Sequence, residues 1–228
     1  MRFTTTLLLL ILTTLLAQMQ IGSTAPPAQA LDKSSWPNFR NGHELRGVAE
    51  RGLPEKLELL WSQPIPDGMV FTSAVAVVGG RVYASTLGGE LQCLELKSGK
   101  LLWKYLSAPK PTPDTFIPGF PSAPTVSADT VFVGDEDGVF HAVDRKTGKR
   151  LWVFATRAQV NSSPVIAGDR VYFGSADKHV YGVDLETGKE VWKYRGKSDF
   201  NAAPSVAGGR LLIGSEGSKA RLLCFGAK

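Results

Sequence analysis

The densest group of side chains able to do chemistry is Asp135-Glu136-Asp137, followed by Gly138. Adjacent carboxylates suggest a hard cation, but Ca²⁺ needs about six to eight converging oxygen ligands. The cluster lies between two short apolar alternations, so the expectation is a solvated hairpin turn with glycine at its positive-φ position. His43, His141 and His179 lie in separate segments without metal-ligand spacing. The alternation around His141 puts it on a strand, packed or at a rim. Serines are frequent, yet none stands in a G-x-S-x-G elbow. Gly79-Gly80 and Gly208-Gly209 precede no helical pattern, so they read as hairpin turns and not as phosphate cradles. Cys93 and Cys224 are the only cysteines. They make no disulfide framework, and a bridge or two packed free thiols both remain open. Catalysis is therefore disfavoured.

The elements around these residues repeat. Four copies begin at Ser73, Ser122, Ser162 and Ala202. Each has a short apolar run, a tight turn, an Arg-Val-Tyr-like strand, an alternating strand such as Val139-Phe-His-Ala-Val-Asp, and a last strand. Asp144, Thr147 and Gly148 in one copy, and Asp184, Thr187 and Gly188 in the next, form Asp-x-x-Thr-Gly turns. The Asp or Thr can bond turn amides there, and the Gly can adopt positive φ. Trp103, Trp152 and Trp192 mark one point of the last strand in three copies. Four strands recurring about every 40 residues predict an all-β β-propeller of four-stranded antiparallel blades. The blades fall at about 72–107, 121–156, 161–195 and 202–226. An isolated sheet of this kind cannot cover both apolar faces, so the tryptophans are expected to wedge between blades. The fourth copy lacks a last strand, while residues 57–64 resemble one and carry Trp61 at the wedge position. The expectation is that this N-terminal segment completes the fourth blade and leaves no open edge. One small four-bladed ring, two half-rings paired as a homodimer, and a shortened relative are the alternatives.

Residues 1–30 read as a signal peptide, with Arg2, an apolar stretch from Leu7 to Leu16, and Ala28-Gln29-Ala30 as the cleavage signature. The apolar stretch is shorter than the roughly 20 residues a membrane span needs. A periplasmic or secreted location without a membrane span after cleavage follows. Residues 31–56 form an N-terminal extension, and 57–228 the repeats. The net charge of +5 is mild and no Lys/Arg run is present, so nucleic acid is not an expected partner.

Val143-Asp-Arg-Lys-Thr-Gly-Lys-Arg-Leu-Trp and Val183-Asp-Leu-Glu-Thr-Gly-Lys-Glu-Val-Trp resemble the pyrroloquinoline-quinone (PQQ) type propeller repeat. That repeat is found in quinoprotein alcohol dehydrogenases and in the BamB-type outer-membrane assembly factor. The segment from Trp36 to Trp61 is similar to the head of exported PQQ-repeat propellers of planctomycete-like bacteria. The resemblance covers residues 36–228 and implies the fold more than an activity. Kinship with the dehydrogenases would imply PQQ, Ca²⁺ and a catalytic Asp. This chain lacks their long insertions and adjacent cysteine pair, so no cofactor is expected. The expected function is a non-catalytic scaffold binding protein or peptide, with a PQQ-dependent dehydrogenase or its remnant as the alternative.

A ligand would meet the face on which the first strand of each copy begins. Phe71, Thr72, Phe120, Asn161, Phe200 and Asn201 align just before those strands. They suggest an aromatic and amide collar at the channel mouth. The other reading is that the apolar members plug the channel or pack between blades.

Overall fold

A computed structural model describes residues 35–42, 52–64, 69–71, 73–108 and 116–226. The leader, His43 and Thr72 lie outside the described residues. The first blade contains β1 (Ala76–Val78), β2 (Arg81–Ser85), β3 (Glu90–Glu95) and β4 (Leu101–Leu106). The second contains β5 (Thr125–Val126), β6 (Thr130–Gly134), β7 (Val139–Asp144) and β8 (Arg150–Ala155). The third contains β9 (Val165–Ala167), β10 (Arg170–Gly174), β11 (His179–Asp184) and β12 (Glu190–Arg195). The fourth contains β13 (Ser205–Ala207), β14 (Arg210–Gly214) and β15 (Leu222–Gly226). All pairings are antiparallel between neighbours in sequence. The propeller class read from the repeat is the architecture observed.

Each apolar core forms between two blades. Val78, Leu91 and Cys93 of the first blade pack with Val131 and Val143 of the second. Phe140 of the second stacks on Phe173 of the third at 4.0 Å between centroids. Val165 and Val180 of the third meet Leu211 and Ile213 of the fourth. β1 lies beside β5, and β9 beside β13, which makes the first strand of each blade the innermost. Trp36 of the extension pairs with Val77 through two backbone bonds, and the carbonyl of Pro37 accepts from the Val126 amide. The extension thus joins the inner strands of two blades.

The tryptophans work across blades. The ring of Trp103 covers Gly148 and that of Trp152 covers Gly188, each on the Asp-x-x-Thr-Gly turn of the following blade. A Cβ on either glycine would lie 2.5 to 2.7 Å from the indole, and both have positive φ, so glycine is required on two counts. Asp144 Oδ1 accepts from the amide and hydroxyl of Thr147, both at 2.7 Å. Asp184 and Thr187 repeat this at 2.7 and 2.6 Å. These bonds hold both carboxyls below the usual range, the Thr hydroxyl being the main cause. Trp192 instead packs edge-on against Phe225 at 5.1 Å.

Two expectations change here. The fourth sheet has three strands, because residues 57–64 do not pair with β15. Trp61 does take the expected wedge position, packing on Gly99 of the first blade, where its indole nitrogen donates to the Leu96 carbonyl at 2.9 Å. Asp135 is not a solvated turn residue: it is 1% exposed. Its carboxylate accepts from the amides of Asp137 and Val139 and meets His141 Nε2 at 2.9 Å. The four-residue return from β6 to β7, Asp135 to Gly138, leaves those amides without strand partners, and the carboxylate satisfies them. Both cysteines are free, Cys93 buried and Cys224 exposed.

Candidate binding face

The connectors between blades carry the predicted collar. The amides of Phe120, Val160 and Phe200 donate to the carbonyls of Thr86, Asp135 and Ser175 in the preceding blade, at 2.9 to 3.1 Å. Their side chains are all but fully buried. Val160 and Phe200 fill the space above Gly134 and Gly174, where a Cβ would meet them at 2.4 to 2.5 Å. Phe120 and Phe200 are therefore not ligand contacts, as the collar required. Their buried side chains, together with the amide bonds, fasten each connector to the blade before it. Phe71, the first member of the series, is 37% exposed.

The amide members do come together. Asn161 donates to Asn201 Oδ1 at 3.1 Å and to Gln159 Oε1 at 3.4 Å, and Asn201 donates to Glu216 Oε2 at 3.0 Å. Four polar side chains thus form a partly exposed row running from the third blade's connector to the fourth blade. The neighbouring serines are structural: Ser163 Oγ accepts from the Ala123 amide and Ser162 donates to the Ala202 carbonyl. Gln159 and Glu216 were not legible as site residues, because only the folded connectors bring them beside the asparagines.

The same connector borders a second feature. Arg157, Asp177, His179, Tyr181, Lys193 and Arg195 line an open depression of about 420 Å³. Asp177, at its base, has a side chain only 3% exposed. It accepts from the Tyr181 hydroxyl at 2.6 Å and from the amides of Arg157 and His179 at 3.1 and 3.0 Å. Burial raises the Asp177 pKa, but the Tyr181 bond, the two amides and the charge of His179 outweigh it, and the net direction is downward. Burial first, then the Asp177 carboxylate, pushes the Tyr181 hydroxyl far above its ordinary value. His179 Nδ1 faces only oxygen acceptors of Asp177, at 3.0 and 3.2 Å, so Nδ1 carries the hydrogen. Lys193 pairs with Glu190 at 3.1 Å.

Comparison between blades shows that the fold does not demand this charge. Strand register puts His179 opposite Arg195 and Tyr181 opposite Lys193. The same places in the second blade hold Val139 with Ala155 and His141 with Val153. In the first they hold Glu90 with Leu106 and Gln92 with Lys104, where Lys104 binds Glu90 at 2.9 Å. The third blade is the cationic one of these three. Aligning the copies would have found Arg195, but nothing in the repeat marks Arg157.

The buried His141 is a packing group as well. Its Nδ1 contacts the Tyr105 hydroxyl at 2.9 Å, and Phe120 stands edge-on at 5.4 Å. Among the described residues no three His, Cys, Asp or Glu side chains gather as a metal site. The Asp135 carboxylate is committed to two amides and His141, so this residue set does not fit a Ca²⁺ centre for PQQ.

The repeat geometry has a counterpart in known proteins. Residues 54–228 match the sequence profile of the family described as outer membrane protein assembly factor BamB. The chain belongs to this family. BamB from Xanthomonas campestris is 29% identical over 101 residues, 42% of this chain and 25% of that protein. The quinohemoprotein alcohol dehydrogenase ADH-IIG of Pseudomonas putida is 28% identical over 120 residues, 50% of this chain and 16% of its own. Among solved structures, BamB from Moraxella catarrhalis superposes with a TM-score of 0.55 at 22% identity, over 68% of this chain and 46% of that one. ADHIIG from P. putida HK5 gives 0.68 at 20% identity, over 81% and 34%. These likenesses establish the propeller fold, and the matched part spans less than half the length of each relative. No helix among the described residues is long and apolar enough to cross a membrane.

Proposed function

We propose that this BamB-family chain is an exported, non-catalytic propeller that binds an extended acidic segment of a protein or peptide in the cell envelope. The observation that carries this reading is the third blade's connector. It presents Arg157 to the cationic depression and Gln159 and Asn161 to the amide row, on the face where the first strands begin. Guanidinium groups suit carboxylates because two parallel N–H bonds can be made at once. An amide row offers alternating donors and acceptors to a peptide backbone.

Fluorescence anisotropy with a labelled hexaglutamate peptide tests the proposal. Binding should saturate and weaken with salt, and Arg157→Ala and Arg195→Ala should each weaken it about tenfold, as expected for one charge-assisted bond. Binding that both variants leave unchanged would remove this face from the reading. Reconstitution with PQQ and Ca²⁺ tests the quinoprotein alternative, which the dehydrogenase relatives support. Dye-linked alcohol oxidation by the loaded chain would overturn the non-catalytic reading. Export predicts a mature N-terminus at Leu31, read by mass spectrometry of the secreted protein.

A further inference from the structure

We infer that the first blade of one copy of this chain seats against the fourth blade of a second copy, with residues 57–62 adding to β15 as its missing strand. The inference is independent of the peptide reading. It rests on two half-made contacts that each repeat a contact completed elsewhere in the molecule.

The first is the tryptophan wedge. Trp61 lies on Gly99 as Trp103 lies on Gly148 and Trp152 on Gly188. Its indole bond to Leu96 matches the bond from Trp103 to the Arg145 carbonyl at 3.2 Å. Residues 57–62 thus hold the place of a last strand from a blade before the first. Among the described residues they pair with no strand, and Leu57, Leu59 and Leu60 are 71 to 84% exposed. β15 is the reverse case: its outer edge carries no strand among the described residues, and Leu222 is 76% exposed. An open sheet edge beside an unpaired apolar strand is a pairing site.

The second is the connector lock. Phe71 stands where Phe120, Val160 and Phe200 are buried, yet it remains exposed. Those residues cover the end of the preceding blade's second strand, at Gly134 and Gly174 for the latter two. The corresponding Gly214 has open space, with its nearest neighbour Ala202 at 3.9 Å from an added Cβ. Phe71 lacks a floor and Gly214 lacks a cover.

The register follows from the complete blades. Cys93 faces Trp103, Ala142 faces Trp152 and Gly182 faces Trp192. Cys224 holds the same place opposite Leu212 that Cys93 holds opposite Tyr83. Trp61 of the second copy therefore belongs opposite Cys224, and Ser62 opposite Leu223. A second copy is the occupant because neither the edge of β15 nor residues 57–62 finds a strand among the described residues, and a two-fold pair closes both seams at once. The matched part of this chain equals about half of the Moraxella BamB chain, so two copies supply a comparable amount of propeller.

Light scattering on residues 31–228, the chain after leader removal, should give twice the mass of that chain. Phe71→Asp, at an exposed side chain, should give the single-chain mass with an unchanged far-ultraviolet spectrum. In the dimer Cys224 should react with a thiol reagent at least tenfold more slowly than in that variant. A chain carrying Ser62→Cys, Leu223→Cys and Cys224→Ser should oxidise to a covalent dimer. Single-chain mass in the unmodified protein, or a cross-link confined within one chain, would overturn the second copy as occupant. Dimers without this cross-link would overturn the register.

Discussion

At the scale of single residues, the buried carboxylates show how this molecule uses charge. Asp135 and Asp177 each sit in the return between the second and third strands of a blade, where they satisfy amides the sheet leaves unpaired. The Tyr181 hydroxyl is a further donor to Asp177, beside two amides and His179 Nδ1, and its loss should be felt most when that carboxylate is ionised. Tyr181→Phe should destabilise the protein by about 1.5–3 kcal/mol at neutral pH, the value of a hydrogen bond to a charged partner. Asp177 has a folded pKa below its unfolded one, so its contribution is present above about pH 4 and is lost as pH falls through the folded value. Urea titrations of the wild type and variant should therefore converge at low pH, and a penalty independent of pH would contradict the assignment. The acidic cluster was legible as a turn, since Gly138 does take positive φ. The burial of Asp135 was not legible. It depends on His141 and on the Val160 amide, which reaches the Asp135 carbonyl from a connector 25 residues along the chain.

At the scale of elements, spacing in the sequence carried most of the information. Residues such as Val139 to Asp144 alternate because one side faces the preceding blade and the other the next, and the observed strand matches that run. The Asp-x-x-Thr-Gly turn was equally readable, because its bonds are local. What spacing could not give was the direction of the aromatic side chains before each first strand. Phe120 and Phe200 look alike whether they face a channel or the preceding blade, and the folded connector decides. The glycine under each indole offers a direct test of the wedge. Gly148→Ala puts a methyl 2.7 Å from the Trp103 ring at a φ of 72°. The left-handed backbone costs about 1–2 kcal/mol and the overpacking about 1–3 more. Thermal denaturation should place this variant at least about 2 kcal/mol below wild type. Gly168→Ala serves as the control: it carries the backbone cost, but nothing lies within 4 Å of its added Cβ.

At the scale of the whole molecule, each blade is held by its neighbours, so stability should follow the number of neighbours. The second blade has one on each side. The fourth has one, and its strands carry more exposed positions than those of the second. Hydrogen exchange read by mass spectrometry should find residues 210–226 exchanging at least tenfold faster than 130–144 in dilute single chains. Uniform protection across both segments would contradict this gradient. The blade count and the order of blades were legible in the sequence. The open seam was not, because the segment expected to close the fourth blade lies on the first through Trp61.

The indole contacts also have a direction in time. Trp61, Trp103 and Trp152 are each encoded before the glycine they cover, and Phe120, Val160 and Phe200 each after the blade they lock. A chain threaded from its N-terminus therefore presents each new blade to a tryptophan already waiting for it. The connector then fastens that blade before the next one emerges. Such an array can grow one unit at a time without threading back through itself.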